Sequence, residues 1–262
     1  MYQQHVPITR SQQVAQNVYV LEFQSEAIAA QAIPGQFLNI RPSRFNDPFL
    51  RRAYSIHRVM GDRLEIIYNV VGKGSALFAE AKVGEMMDIL GPLGTPFHLE
   101  GEYSRAVLVS GGVGIAPMPF LSDWLLKQGK HVVNIYGART AAMIAADGRL
   151  HNPRYATDDG TLGHHGNVVG LLERYLAEEG TEGLRAFACG PNKMLMALGD
   201  FCQLRGLPLE VSLECQMACG IGICQGCPVE MATGDRKYTL VCTHGPNYNY
   251  NDIRLESIPA VH

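Results

Sequence analysis

Ala106-Val107-Leu108-Val109-Ser110-Gly111-Gly112-Val113-Gly114-Ile115-Ala116-Pro117 decides how the middle of this chain folds. It opens as a short apolar strand and ends in a glycine-rich turn. An apolar helix follows, with Pro117 near its start. Glycines at a strand end let a ligand approach the backbone closely, and a helix N-terminus supplies free N–H groups suited to a pyrophosphate. A tight strand–helix turn would use the same glycines. The order is not G-x-G-x-x-G, so that fingerprint is not invoked. The candidate contacts are Gly111, Gly112, Gly114, Ala116 and Pro117.

Outward from this turn, strands and helices alternate. Val132–Tyr136, Ala186–Cys189 and Leu209–Leu213 read as strands, and Val168–Glu178 carries Val168, Leu171, Leu172, Tyr175 and Leu176 on one helical face. This rhythm predicts a parallel sheet with helices on both sides, whose ligand crevice lies at the carboxyl ends of the strands. Cys189-Gly190-Pro191 lies at one such end, which places Cys189 beside a nicotinamide or leaves it as a packing thiol. The second strand ends Tyr136-Gly137-Ala138-Arg139 without a closely following acid, leaving NAD against NADP open. Asp158-Asp159-Gly160 reads as an Asx turn and His164-His165 as part of a solvated loop.

Before residue 102 the pattern is β-rich. Asn17–Phe23, Gln36–Ile40 and Leu64–Val71 read as strands, and Pro34-Gly35 and Gly91-Pro92 as turns. Short strands at this spacing predict a small antiparallel barrel, interrupted by a helix from about Gly74 through Ala79. Arg52-Ala53-Tyr54-Ser55 offers a cation, a flat ring and a hydroxyl, with Arg52 and Tyr54 on one side of the strand. Those are what a flavin dinucleotide needs for its pyrophosphate, its ring and its reactive nitrogen. Tyr68-Asn69-Val70 leads into Gly72-Lys73-Gly74-Ser75, a second anion-binding element at a helix start. An exposed Arg, a packed Tyr and a plain turn would leave the same marks. Two phosphate-binding elements about 20 residues apart in one barrel favour FAD, with Tyr54 and Ser55 tuning its environment.

Past the last strand the chain enters Cys215-Gln216-Met217-Ala218-Cys219-Gly220-Ile221-Gly222-Ile223-Cys224-Gln225-Gly226-Cys227, with Cys242 beyond; five of the seven cysteines fall here. The C-x4-C-x2-C run followed by a distant Cys is how thiolates wrap a plant-type iron–sulfur cluster. Zinc prefers two C-x2-C pairs, and only Cys224 and Cys227 form one. Cys215, Cys219, Cys224 and Cys227 could close a compact site. Cys219, Cys224, Cys227 and Cys242 give three ligands on a loop and a fourth from a separate segment, and we favour this set, with Cys215 a spare thiol.

At 262 residues, 47% hydrophobic and 18% charged, the chain suits an ordinary globular protein with two domains and a small appendage. A net charge of −3 gives no sign of nucleic acid as a partner, and no apolar run approaches the ~20 residues of a membrane span. The amino terminus lacks a secretion signal, which with reduced thiols predicts the cytoplasm. The expected division is an FAD-binding barrel over 1–101, a nicotinamide-dinucleotide α/β domain over 102–213 and a [2Fe–2S] domain over 214–262.

The order of these motifs resembles the ferredoxin–NADP reductase superfamily. The Met217–Cys227 loop with Cys242, and Ala156-Thr157-Asp158-Asp159-Gly160, are similar to the electron-transfer subunits of NAD-linked dihydroorotate dehydrogenases. The resemblance implies a six-stranded-type barrel, FAD on Arg52, Tyr54, Ser55, Gly74 and Ser75, and a [2Fe–2S] cluster on Cys219, Cys224, Cys227 and Cys242. It implies NAD as co-substrate and an FMN-containing catalytic subunit that oxidises dihydroorotate in pyrimidine (UMP) synthesis, in a two-plus-two heterotetramer. Reductase subunits of anaerobic sulfite reductases, hydrogenases and NADH-dependent ferredoxin–NADP oxidoreductases share the order of parts. A redox-sensing or zinc-stabilised binding module is the reading outside enzymes.

Overall fold

The computed structural model describes residues 1–43, 45–145 and 148–258. Its first sheet is antiparallel and built from β1 (Tyr2–Ala15), β2 (Val18–Gln24), β3 (Phe37–Ile40), β4 (Arg52–Ser55), β5 (Arg58–Met60), β6 (Arg63–Asn69) and β7 (Met86–Leu93). The strand order is β4-β3-β7-β1-β2-β6-β5, seven strands where six are expected, because β5 is a three-residue arm folded onto β6. Long β1 joins the two halves: its start pairs with β7 and its end with β2. The sheet curls, bringing β4 back against β6. Val6, Ile8, Leu21, Phe23, Leu38, Ile40, Leu64 and Ile66 fill its interior. A helical turn, α1 (Glu26–Ala29), is capped by the Ser25 hydroxyl, which accepts from Ile28 N. Then α2 (Lys73–Glu80) begins where the Ser75 hydroxyl accepts from Val71 N at 2.9 Å and Gly72 N at 3.1 Å.

The second sheet holds β8 (Arg105–Gly111), β9 (His131–Ala138), β10 (Pro153–Thr157), β11 (His164–His165), β12 (Leu184–Cys189) and β13 (Leu209–Ser212), all parallel in the order β11-β10-β9-β8-β12-β13. His164 and His165 thus form a two-residue strand rather than a loop, because they pair with Ala156 and Thr157. Asp159 does make its turn, accepting from Thr161 N at 3.0 Å. One face is covered by α3 (Met118–Lys127), the other by α4 (Val168–Glu179) and α5 (Asn192–Leu204). The Asn167 side chain caps α4, and Leu171, Leu172, Tyr175 and Leu176 are its buried face.

A third, three-stranded sheet is β14 (Pro228–Met231), β15 (Tyr238–Leu240) and β17 (Ile253–Arg254), with the single-turn α6 (Val241–His244) after β15. Between them, β16 (Asn247–Asn249) leaves this sheet and adds antiparallel to β13, lending the tail to the edge of the parallel sheet. The Asn247 amide then donates to Gly35 O at 3.1 Å and Thr95 O at 2.7 Å, pinning the tail to the turns that flank β3 and β7 as well. No helix among the described residues is long and apolar enough to cross a membrane.

Candidate functional site

The first two sheets and the start of the cysteine loop meet around a cavity of about 390 Å³. Its walls are Ala53, Tyr54 and Ser55 of β4, Tyr68 and Asn69 of β6, Gly111 and Gly112 at the end of β8, Ala116, Pro191, and the run Leu213, Glu214, Cys215 and Met217. Tyr54 packs against Tyr68 at 5.4 Å and edge-on against Phe78 of α2 at 5.7 Å. Burial pushes the Tyr54 phenol up to about 12, opposed by Arg52, so it stays a neutral hydrogen-bonding group at physiological pH. The Tyr68 hydroxyl is raised further by burial, and among the described residues neither it nor the Asn69 Oδ1 has a hydrogen-bond partner. Orphaned buried polar atoms at the wall of a cavity fit a ligand with a polar-edged ring.

Arg52 lies over the start of α2, where a Cβ on Gly74 would approach its Nε to 3.0 Å. The structure therefore brings together the cation and the free N–H groups that the sequence suggests for a pyrophosphate, and glycine keeps them close. Val70 turns back onto the barrel core, and exposed Val71 faces the cavity instead. Gly72, Gly74 and Ser75 sit at the helix start rather than in the cavity wall.

At the parallel sheet, Gly112 has φ +55° and open space where a side chain would stand. Gly114 is needed for packing, since its Cβ would fall 2.2 Å from Cys189 O, and Pro117 leads into α3. Gly190 closes against Gly111 and Met194. Cys189 itself is 3% exposed, and burial raises its thiol well above the ordinary value; the cavity wall there is Pro191.

The cysteine loop folds around glycines in the left-handed region, Gly220 at φ +70° and Gly222 at φ +83°. A Cβ on Gly220 would strike the Asn39 amide at 2.6 Å, the same group that donates to Cys219 O at 2.9 Å. Cys219 Sγ accepts from Ile221 N at 3.5 Å and Cys224 N at 3.4 Å. Burial acts to raise the Cys219 thiol, but those N–H groups outweigh it and bring it down to about 7. Hydrogen bonds from the Cys215 and Cys242 thiols and from the N–H groups of Cys242 and Val241 hold Cys227 down at about 5, against its burial. Cys242, on α6, is raised by burial to about 12. N–H groups aimed at sulfur stabilise thiolates and fit the sulfur-rich shell of an iron–sulfur cluster. Among the described residues no three such side chains converge on a single ion. Four thiols along the loop and a fifth on α6 suit a two-iron centre better than lone zinc.

Sequence reasoning missed the wall contributed by Leu213, Glu214, Cys215 and Met217. Its signal was available: Leu213 and Glu214 directly follow β13, at the carboxyl edge where ligand crevices form. Burial raises the Glu214 carboxyl, and no cation lies within ion-pair range of it among the described residues. The anchors Asn39 and Asn247 left no such signal.

Two families match. Residues 214–254 match the iron–sulfur cluster binding domain of dihydroorotate dehydrogenase B, and residues 5–98 the oxidoreductase FAD-binding domain. The dihydroorotate dehydrogenase B (NAD(+)) electron transfer subunit of Desulforamulus reducens is 36% identical, over 89% of this chain and 91% of its own. That of Enterococcus faecalis V583 is 36% identical over 97% and 98%. Among solved structures, an NADH-dependent reduced ferredoxin–NADP oxidoreductase superposes with a TM-score of 0.85 at 26% identity, covering 97% of this chain and 91% of that one. A ferredoxin NADP+ reductase from Neisseria gonorrhoeae, at TM-score 0.66 and 20% identity over 79% of this chain and 92% of its own, shares the fold.

Proposed function

The chain belongs to the family of dihydroorotate dehydrogenase B electron transfer subunits, and from that premise we propose how its residues divide the work. FAD occupies the cavity, with its pyrophosphate on Arg52 and the α2 start at Gly72, Gly74 and Ser75. Tyr54 and Tyr68 present ring and hydroxyl to the isoalloxazine, and Ser55 and Asn69 supply hydrogen bonds at its edge. NAD enters along the carboxyl edge of the parallel sheet, over Gly111, Gly112, Ala116, Gly190 and Pro191. Cys219, Cys224, Cys227 and Cys242 hold a [2Fe–2S] cluster. When bound, the flavin exchanges an electron pair with nicotinamide and the cluster carries single electrons, so the chain converts one currency into the other.

The protein's own part is positioning. Gly112 leaves room for close approach, half-buried Tyr54 stays protonated as a donor, and the walls of Leu213, Met217 and Phe37 keep water out. The residues divide into 1–101 for FAD, 102–213 for NAD and 214–262 for the cluster, with β16 binding the last to the second. The partner is an FMN-containing subunit that oxidises dihydroorotate in UMP synthesis, in a two-plus-two assembly in the cytoplasm.

One observation carries this reading: the cavity and the thiols share a wall, because Cys215 and Met217 line the former while belonging to the loop of the latter. A second reading, a reductase subunit serving another acceptor, draws on the close superposition with the ferredoxin–NADP oxidoreductase. Anaerobic purification separates them. We expect about two irons and one FAD per chain, together with a co-purifying FMN protein that couples dihydroorotate to NAD⁺. A flavin-loaded protein whose partner ignores dihydroorotate favours the second reading. An iron-free, colourless protein refutes both.

A further inference from the structure

His57 is 0% exposed and follows β4 by two residues, just past Ser55. Its backbone N–H donates to Glu65 O on β6 at 2.7 Å. It is thereby tied to the two strands that bring Tyr54, Ser55, Tyr68 and Asn69 to the cavity. From there it reaches the glycine-rich turn of the parallel sheet twice. Its ring Nδ1 donates to Ala116 O at 2.7 Å, and its own carbonyl accepts from Phe120 N at 3.1 Å. In a continuous helix Phe120 N would donate to Ala116 O, four residues earlier. His57 stands in for that bond, so one residue satisfies both groups where α3 begins. A carbonyl has no hydrogen to give, so the ring carries its own on Nδ1. Ala116 lines the same cavity as Tyr54 and Ser55, beside Gly111 and Gly112.

Resting on the cofactor assignment above, we propose that His57 is a positioning residue for hydride transfer. Its paired bonds to Ala116 and Phe120 fix the gap between the strands that carry the flavin and the turn that carries the nicotinamide. The turn needs such an anchor: Gly112, at φ +55°, has open space where a side chain would brace it. Hydride transfer needs reacting atoms about 3–3.5 Å apart, and a misplacement of about 1 Å can cost about a hundredfold in rate. In the step NADH breaks one C–H bond, the oxidised flavin gains that hydrogen with both electrons, and NAD⁺ leaves. His57 forms and breaks no covalent bond and gives up no proton.

The test compares wild type, His57→Asn and His57→Leu as full chains purified without oxygen. Asparagine can place an N–H near the position of Nδ1, whereas leucine has similar size and no donor. FAD content, the dissociation constant for NAD⁺, amide hydrogen exchange and the single-turnover rate of flavin reduction at saturating NADH are measured on each. His57→Leu should keep its flavin and reduce it about ten- to hundredfold more slowly. Its affinity for NAD⁺ should stay within about threefold, the split expected when geometry rather than binding is lost. Exchange should accelerate at Ala116 and Phe120, while the amides of β8 and β9 keep their protection. His57→Asn should stay within about threefold of wild type in rate. The inference is overturned if His57→Leu reduces its flavin as fast as wild type, if His57→Asn is as slow as His57→Leu, or if exchange at Ala116 and Phe120 is unchanged. A His57→Leu chain that fails to fold or to hold FAD overturns it too, leaving His57 a residue of the fold alone. A wild-type chain that lacks flavin, or whose flavin NADH does not reduce, overturns instead the assignment beneath it.

Discussion

The barrel and the cysteine tail are held together by different forces. In the barrel, strands β1 to β7 bury a continuous apolar interior, with Leu21, Phe23, Leu38, Ile40 and Ile66 fully enclosed. Order there follows from hydrophobic burial, which is non-directional and spread over many residues. The loop from Cys215 to Cys227 has no regular secondary structure, and Ile223 is 78% exposed. It is held by a few directed contacts: Asn39 to Cys219 O, N–H groups to sulfur, and Val241 N to Cys227 O at 2.9 Å. A region held by few directed bonds responds steeply to single changes, and one held by burial responds by degrees.

The sharpest separation should come from Cys242→Ser. The variant removes the thiol that α6 brings to the loop, the fourth ligand of the proposed set, and we expect iron per chain to fall from about two to near zero. FAD content and barrel stability should be unchanged, since no contact of the flavin cavity is lost. Iron and flavin analysis on one sample checks this. Simultaneous loss of flavin would show that cluster and barrel fold as one unit, and the comparison would fail.

Asn247→Ala should act on the joint between the regions. Its amide donates to Gly35 O, just before β3, and to Thr95 O, just after β7, from a residue 1% exposed. Leaving these carbonyls unpaired should cost about 1–3 kcal/mol. Hydrogen exchange should accelerate at Thr95 and Leu213, whose N–H groups bond to Gly245 O and Pro246 O, while the amides of β2 and β6 keep their protection. Uniform acceleration across the barrel would mean that the tail is part of one cooperative core.

Much of this division was legible beforehand. The unbroken apolar run of β8, the helical face of α4 and the cysteine spacing each carry a strong local signal, and the structure holds all three elements. The fourteen residues of β1 went unread, because its glutamines and partial exposure hide the alternation. So did β16, since three residues show no period. Contacts between distant segments leave no mark in either. Asn39 lies 180 residues from Cys219, and the pair of Glu65 and Arg149 spans 84. The wall role of Cys215 belongs to the same class: the thiol was visible, but its neighbours across the cavity were not.

That buried pair belongs to a knot between the first two sheets, and it offers the mildest test. His57, fully enclosed between β4 and β5, donates from Nδ1 to Ala116 O at 2.7 Å, just before α3. Its own backbone carbonyl accepts from Phe120 N at 3.1 Å. Arg149 pairs with Glu65 beside it, and Arg10 reaches the same carboxylate at 3.4 Å. Burial holds the His57 imidazole down at about 3, assisted by Arg149 and Arg58 and opposed by the bond to Ala116. Unfolded, the same ring titrates near 6.5, so between about 3 and 6.5 the unfolded chain binds the extra proton. Stability from His57 is therefore complete above about pH 6.5 and declines as pH falls through that window, with a limiting slope of about 1.4 kcal/mol per pH unit. Glu65 pulls the other way, its carboxyl being raised by burial against the lowering effect of Arg149. The clean observable is thus the difference between wild type and His57→Gln in denaturant midpoints from pH 7 to pH 4. Wild type should lose more stability than the variant over that range. Equal losses would mean that the imidazole is not held neutral, and that the joint between barrel and parallel sheet tolerates charge as readily as the exposed tail does.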